Sequence, residues 1–453
     1  MSSLEEALDH SKNLGIDECE IVHVKRKITT VRITDSEIYE LKNNSDENFG
    51  IRIIHDKKIG SVQTTNDEEI QNAISNSFQT ISHLKPRDFW KNLPLELKSK
   101  KNLEGVYDKK LEEITGSQAS DIAQSMINFS LDDKISSISG SLNIVSEKFT
   151  ICNSHGLFET DKATYISGFL NAESQIGNSD VSGIGQNCCR TLDKFSPQQI
   201  GEDAKTMCIE SINPQNCEGG EYTIIFEPYS VGELLAFVVV SNFDFKTFTE
   251  GKSCFSNEFK KQVAVEKFSL IDNPHSPQGL GTKPFDDEGV ETQINKLVEN
   301  GFFSNTYSNL FDSYKEGTKS TGNASRPGSP MGRNAESIPI SRPHNLQIKS
   351  GEFSQDEMIN DTRKGLLVGR LWYTYAVNPI KGDFSCTARS GIRIIENGRI
   401  RMPGKSVRIV HNLPKLIQNI SGIGKNEKNV IQWASLPSIT PSIRVEKIKV
   451  IPI

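Results

Sequence analysis

The chain is short of long apolar runs. Its longest uninterrupted one, Leu234 to Val240, is far below the roughly 20 residues a helix needs to cross a bilayer, so no membrane span is expected. The first residues, Met-Ser-Ser-Leu-Glu-Glu, offer no basic segment followed by an apolar one, which leaves no secretory signal and points to the cytoplasm. Positive charge is in deficit: 52 Lys and Arg against 58 Asp and Glu give a net charge of −6. That balance argues against nucleic acid as a partner. The Lys98–Lys101 stretch lies between Glu96 and Glu104 and reads as a solvated linker. Cys-x-x-Cys pairs are absent. The eight cysteines are scattered, as in a protein with reduced thiols, and the adjacent Cys188 and Cys189 would strain to bridge each other. Histidine is equally dispersed. His10, His23, His55, His83, His155, His275, His344 and His411 show no two members at ligand spacing.

What is present is enough chain for two cores. A length of 453 residues exceeds one ordinary domain, and the breaker-rich segment Asn213 to Gly220 is the expected boundary. This gives an N-terminal α+β domain over 1–212 and a β-rich C-terminal domain over 213–453. The N-terminal part opens with a helix capped by Ser3 and Glu6 and stopped by Gly15. Strands follow at Glu20–Val24 and Thr30–Ile33. The runs Phe49–Ile54 and Ile59–Gln63 form a hairpin, and Asp67 starts a helix with apolar residues at Ile70, Ile74, Phe78 and Ile81. A helix at 118–129 and strands near 142–145, 149–152 and 164–171 repeat this order, which suggests an internal duplication. Ser196-Pro-Gln-Gln199 starts another helix, to about Ser211.

In the second part, strand Tyr222–Phe226 leads to a short apolar helix, for which Ser230 and Glu233 are the expected capping pair. Asn300-Gly301 and Asn397-Gly398 mark hairpins. Gly317–Arg342 reads as a long, functional or mobile loop. Strands dominate from Leu366 to Val410, with helices capped at Ser354 and Asn412 and a last strand over Ser442–Val450. The fold class is α+β with mostly antiparallel sheets.

The most informative stretch is Pro284-Phe-Asp-Asp-Glu-Gly289, with Asn300-Gly301 after it and then Ser320-Thr-Gly-Asn-Ala-Ser-Arg326. Three adjacent acids repel one another unless water, a cation or backbone N–H groups relieve them. In this order and spacing the segments resemble the TldD/PmbA family of metallopeptidases. Phe49 to Gly60, Ile151-Cys-Asn-Ser-His-Gly156, Gly382-Asp-Phe-Ser385 and Ile395 to Ile400 extend the likeness over nearly the whole chain.

The resemblance implies a choice between two subunit types. The TldD-like type carries His-Glu-x-x-x-His on the helix after the first strand of the second domain, and a later Cys before Gly-Lys. The PmbA-like type, also called TldE, lacks these and pairs with the first around a cavity for unfolded peptides. A catalytic zinc needs about three protein ligands and an open position for water. Aligned on Tyr222, the ligand positions here fall at Ala236 and Ser241, and Ile423 precedes Gly424-Lys425. None of the three is a zinc ligand, so the chain reads as a PmbA-like subunit without metal, inactive alone, with zinc expected in a TldD-like partner.

The resemblance makes Asp286, Asp287, Glu288 and Gly289 candidates for lining the peptide cavity or for ordering a loop through backbone N–H groups, with a structural turn weighed evenly against this. Asn323 and Arg326 are candidates for contacting peptide or partner, against plain loop polarity. Cys386 and His411 invite a thiol–imidazole pair, but a buried, inert Cys386 is favoured on burial statistics. Two rivals stay open: a self-sufficient metallopeptidase acting as a homodimer, and a protein-binding regulator of the DNA-gyrase-modulator type.

Overall fold

The computed structural model describes residues 2–97 and 101–453; the linker expected at Lys98–Lys101 lies, except for Lys101, outside the described residues. Strands β1 (Glu18–Thr34), β2 (Glu37–His55), β3 (Lys58–Thr64), β4 (Ser137–Asn153), β5 (Phe158–Ser174) and β6 (Val181–Cys189) form one antiparallel sheet in the order β3-β2-β1-β4-β5-β6. Each half of it is preceded and followed by helix: Ser3–Asn13 and Ile70–Ile81 about the first three strands, Gly116–Ser130 and Pro197–Ile209 about the second. The order expected from the sequence is therefore present twice, with β1 and β4 paired at the centre.

The strands are longer than the sequence suggested. β1 fuses the expected runs at 20–24 and 30–33, because Lys25 to Thr29 continue the ladder to both neighbours. Polar residues interrupt the apolar pattern there without breaking backbone pairing. The first helix is capped one residue earlier than expected: Ser2 accepts from Glu5 N–H, and Glu5 completes the box.

Period-two alternation gives this sheet two different faces. Cys19, Ile21, Val31 and Ile33 of β1 pack with the helices. Val22, Val24 and Ile28 point the other way, toward Leu280, Phe285, Met331 and Ala335 of the second half. The helical face is an ordinary core; the opposite face is covered by the long segment around the acidic motif.

The second half holds a nine-stranded mixed sheet and a six-stranded one, with their apolar faces sharing one large core. Most pairs are antiparallel, but Gly220–Phe226 runs parallel to Lys364–Val368. Asn300 and Gly301 both have positive φ, 48° and 82°, as a tight hairpin turn requires. The segment 317–342, expected as a long loop, carries a two-residue ladder that joins Ala324–Ser325 to Ile340–Ser341, and Asn323, Arg326, Arg333 and Ala335 are buried.

Candidate functional site

The acidic motif folds as a tight loop at the meeting of the two halves. Phe285 bridges to Glu291 across it, and Gly289 sits at φ 83° with Leu157 packed where a Cβ would be. Asp286, Asp287 and Glu288 have no exposed surface. Their carboxylates are satisfied internally, which is the condition for burying them. Asp286 accepts from the N–H groups of Glu288, Val290 and Ala324, each at 2.9 Å. Asp287 binds Lys283 Nζ at 2.7 Å and the Arg326 N–H at 2.6 Å. Glu288 binds Arg52 Nη1 at 2.8 Å and accepts from Leu310 N–H at 2.9 Å.

These contacts extend into the first sheet. Glu20 of β1 and Arg52 of β2 are cross-strand partners on the face turned to the second half, and they pair at 2.8 Å. The other oxygen of Glu20 takes Arg326 Nη2 at 2.7 Å. Arg326 also donates to the carbonyls of Asp287 and Glu336. Three cations, Arg52, Arg326 and Lys283, thus meet three carboxylates, Glu20, Asp287 and Glu288, with almost no solvent. Burial and then the neighbouring Glu288 push the Asp286 carboxyl upward, while the three N–H bonds it accepts pull the other way. For Asp287 burial pushes upward, but Lys283, Arg333 and the Arg326 N–H outweigh it and hold it below the usual carboxylate range.

Asp286, Asp287, Glu288 and Gly289, expected to line the peptide cavity or to order a loop, all lie in the interior, as a clasp between the first sheet and the second half of the chain. Of the readings weighed, the loop ordered through backbone N–H groups matches the geometry. Asn323 is not loose polarity either, since its amide donates to Asp272 at 2.6 Å and Asp272 in turn accepts from His344 and Asn345 N–H. Arg326, buried in the clasp, reaches neither solvent nor any outer surface.

The helix after strand Gly220–Phe226 begins at Pro228, with Glu227 rather than Ser230 at its cap. Ser230 donates to the carbonyls of Glu227 and Val368. Glu233 is not a capping acid: it is buried and accepts from Leu371 N–H at 2.6 Å. Desolvation lifts its carboxyl to about 8. From Leu235 to Val239 the helix widens into a π turn, with Val240 N–H bonded to Leu235 O, five residues back. A π turn stacks residues i and i+5. Ala236 lies in the π turn and Ser241 in the 3-10 turn Val240–Phe243 that follows it; the two are five residues apart, the spacing of the two histidines in His-Glu-x-x-x-His. Their side chains are a methyl and a hydroxymethyl. Ile423 is buried in the ladder with Ile443. These residues do not fit zinc, and among the described residues no three His, Cys, Asp or Glu side chains gather to hold a metal ion.

Cys386 is buried opposite Ile409, while His411 lies opposite Phe384. Burial pushes the Cys386 thiol up, and nothing deprotonates it.

Comparison with known proteins decides the family. Profiles described as PmbA/TldA metallopeptidase domain 1, central domain and C-terminal domain match residues 19–80, 109–211 and 219–452. The chain belongs to the TldD/PmbA metallopeptidase family. Within it, the metalloprotease PmbA of Escherichia coli O157:H7 is 24% identical over 449 residues, covering 93% of this chain and 91% of the relative. A metalloprotease of Methanothermobacter thermautotrophicus is 27% identical over 282 residues, spanning 60% of this chain and 59% of that protein. The crystal structure of TldE from Thermococcus kodakarensis superposes with a TM-score of 0.91 at 23% identity, over 99% of this chain and 100% of the other, and so shares the fold.

Several residues of the clasp were missed in the sequence: Glu20, Arg52, Lys283, Glu147 and Arg333. Arg333 binds Glu147 at 2.7 Å and Asp161 at 2.8 Å, a second bridge between the halves. One signal was available. Cys-Glu-Ile-Val and Gly-Ile-Arg-Ile-Ile each place a single charge inside an apolar run, and opposite signs at such positions ask for each other.

Proposed function

We propose that this chain is the PmbA/TldE-like subunit of a TldD/PmbA-type peptidase complex acting on unfolded peptides. It completes the chamber and positions a zinc-bearing TldD-like partner, and it is inactive alone. The observation that carries this is the helical segment 228–243, which holds Ala236 and Ser241 at the spacing where a hydrolytic subunit would present two nitrogen ligands, with Ile423 as the third substituted position. The family membership and the TldE-like fold support the reading; the partner, the cytoplasmic site and the peptide substrate are inferences from it.

Extended peptide would be held by strand addition and apolar contact, not by the buried acids. The test is copurification of the full chain from its native host, with peptidase activity measured on the chain alone and on the recovered complex. Activity toward unstructured peptides only in the complex is expected. Hydrolysis by the isolated chain in the presence of chelator would refute the proposal. Recovery of gyrase without a TldD-like partner would favour the regulator reading.

A further inference from the structure

Next to the clasp lies a cavity of about 60 Å³ whose wall brings together Lys283, Arg333, Arg342 and His344. No Asp or Glu is among the lining residues. Lys283 and Arg333 spend their charge on acids behind the wall, Asp287 for the first and Glu147 with Asp161 for the second. Arg333 Nη1 nonetheless stays buried without a hydrogen-bond partner, on a residue only 4% exposed. Arg342 donates one bond, to Ala434 O at 2.8 Å, and among the described residues no carboxylate pairs with it. His344 is held neutral, burial drawing it down to about 3, and is hydrogen-bonded to Gly322 O at 2.7 Å. A buried unpaired N–H is costly, and Arg333, which carries it, lines the same small space as the half-buried Arg342.

A larger cleft of about 340 Å³ lies beside this cavity. Met331, Ile431 and Ser435 line both, and the cleft adds Phe169, Tyr229 and Trp433. Trp433 is 76% exposed at its rim. A cleft that sets Phe169, Tyr229 and Trp433 among hydroxyl and amide side chains, beside a hole where Arg342 has no carboxylate and Arg333 keeps one unpaired N–H, suits a peptide segment that ends in, or carries, an anion.

We propose that this cavity is a carboxylate-binding subsite, with Arg342 and Arg333 as its donors and the Trp433 cleft holding the apolar residues that precede the carboxylate. A carboxylate fits the space: at about 15 Å³ for each water-sized group, the hole takes its three heavy atoms and is tight for the five of a phosphate. The planar guanidinium fork matches two carboxylate oxygens. The inference rests on the peptide-binding reading above and gives it an end-group preference.

The test uses the purified full chain and titration calorimetry. The ligands are an N-acetylated apolar tetrapeptide acid, its C-terminal amide, an amide ending in Asp, acetate and inorganic phosphate. The free acid is expected to bind at least about tenfold tighter than the amide, the scale of one charge-assisted bond pair. Arg342→Gln, checked for an unchanged melting temperature, is expected to remove that difference and leave the amide's affinity alone. Should the variant melt early, the acid-to-amide ratio in the unaltered chain decides by itself. An Asp amide that binds like the acid assigns the site to side-chain carboxylates; an Asp amide that binds like the plain amide assigns it to the chain terminus. Equal binding of acid and amide overturns the subsite while peptide binding stands. Acetate that raises the melting temperature of the unaltered chain only, with no peptide bound, keeps the subsite and overturns the peptide reading. Phosphate competing at lower concentration than acetate overturns the carboxylate assignment, and no binding by any ligand overturns both.

Discussion

Replacing Arg326 by Met should loosen the two halves of the chain, and the cost can be worked from its contacts. The guanidinium pairs with Glu20 and donates to the carbonyls of Asp287, Glu336 and Ser337. Removing one partner of a buried ion pair typically costs about 3–5 kcal/mol, because the other charge stays buried. Here Arg52 still neutralises Glu20 from its second oxygen, which puts the ion-pair part at the lower end. The three carbonyls left without a donor add about 1 kcal/mol each. A loss of about 6 kcal/mol is expected, a large share of the roughly 5–15 kcal/mol that holds a typical domain folded. Urea unfolding followed by tryptophan fluorescence reads it. Trp90 is buried beside Arg52, its ring centroid 5.5 Å from the guanidinium carbon, and reports on this junction. Pairing with Glu20→Gln closes a double-mutant cycle in which the double variant should lose at least about 1.5 kcal/mol less than the sum of the singles. A loss under about 1 kcal/mol for Arg326→Met, or simple additivity, would refute the clasp as a source of interdomain stability.

Other outcomes follow from the same geometry. Glu233 holds a proton in the folded chain up to about pH 8, whereas the unfolded chain releases it near 4.5, so its contribution is fully present below about 4.5 and is lost as pH rises to 8. Glu233→Gln keeps the acceptor for Leu371 and cannot ionise; its stability relative to the unaltered chain should rise by about 1–4 kcal/mol between pH 5 and pH 9 in denaturant titrations, and a flat difference would contradict this. Gly289→Ala should cost about 1–3 kcal/mol, since φ is 83° and its Cβ would stand 2.2 Å from Leu157 Cδ2; an unchanged melting temperature would contradict it. Native thiol titration at pH 7 should label Cys254 alone and slowly, since the other seven cysteines are buried, and denaturant should release all eight; fast native labelling of Cys386 would revive the thiol–imidazole pair.

Much of the fold was legible where one local rule sufficed. Ser196, Ser354 and Asn412 cap helices as their spacing indicates, and both Asn-Gly turns close hairpins. The length of β1 was not legible, because ladder bonds to β2 and β4 hold Lys25 to Thr29 extended regardless of side-chain pattern. Glu233 misled for a related reason. Ser-x-x-Glu is a capping signature in isolation, yet Pro228 starts the helix earlier and the acid turns inward to an N–H that sequence places far away. The acidic motif was recognisable by spacing, but its burial depended on Glu20, Arg52 and Lys283, distant partners that only tertiary structure brings together. The π turn at 235–239 had no local signal at all.

The absence of a metal ligand set is the claim on which the functional reading turns, and metal analysis of the purified, dialysed chain addresses it most directly. Substoichiometric zinc in the isolated chain, with zinc recovered once a TldD-like partner is bound, is what the substitutions at Ala236, Ser241 and Ile423 require. One zinc per chain that survives dialysis of this polypeptide alone would contradict them.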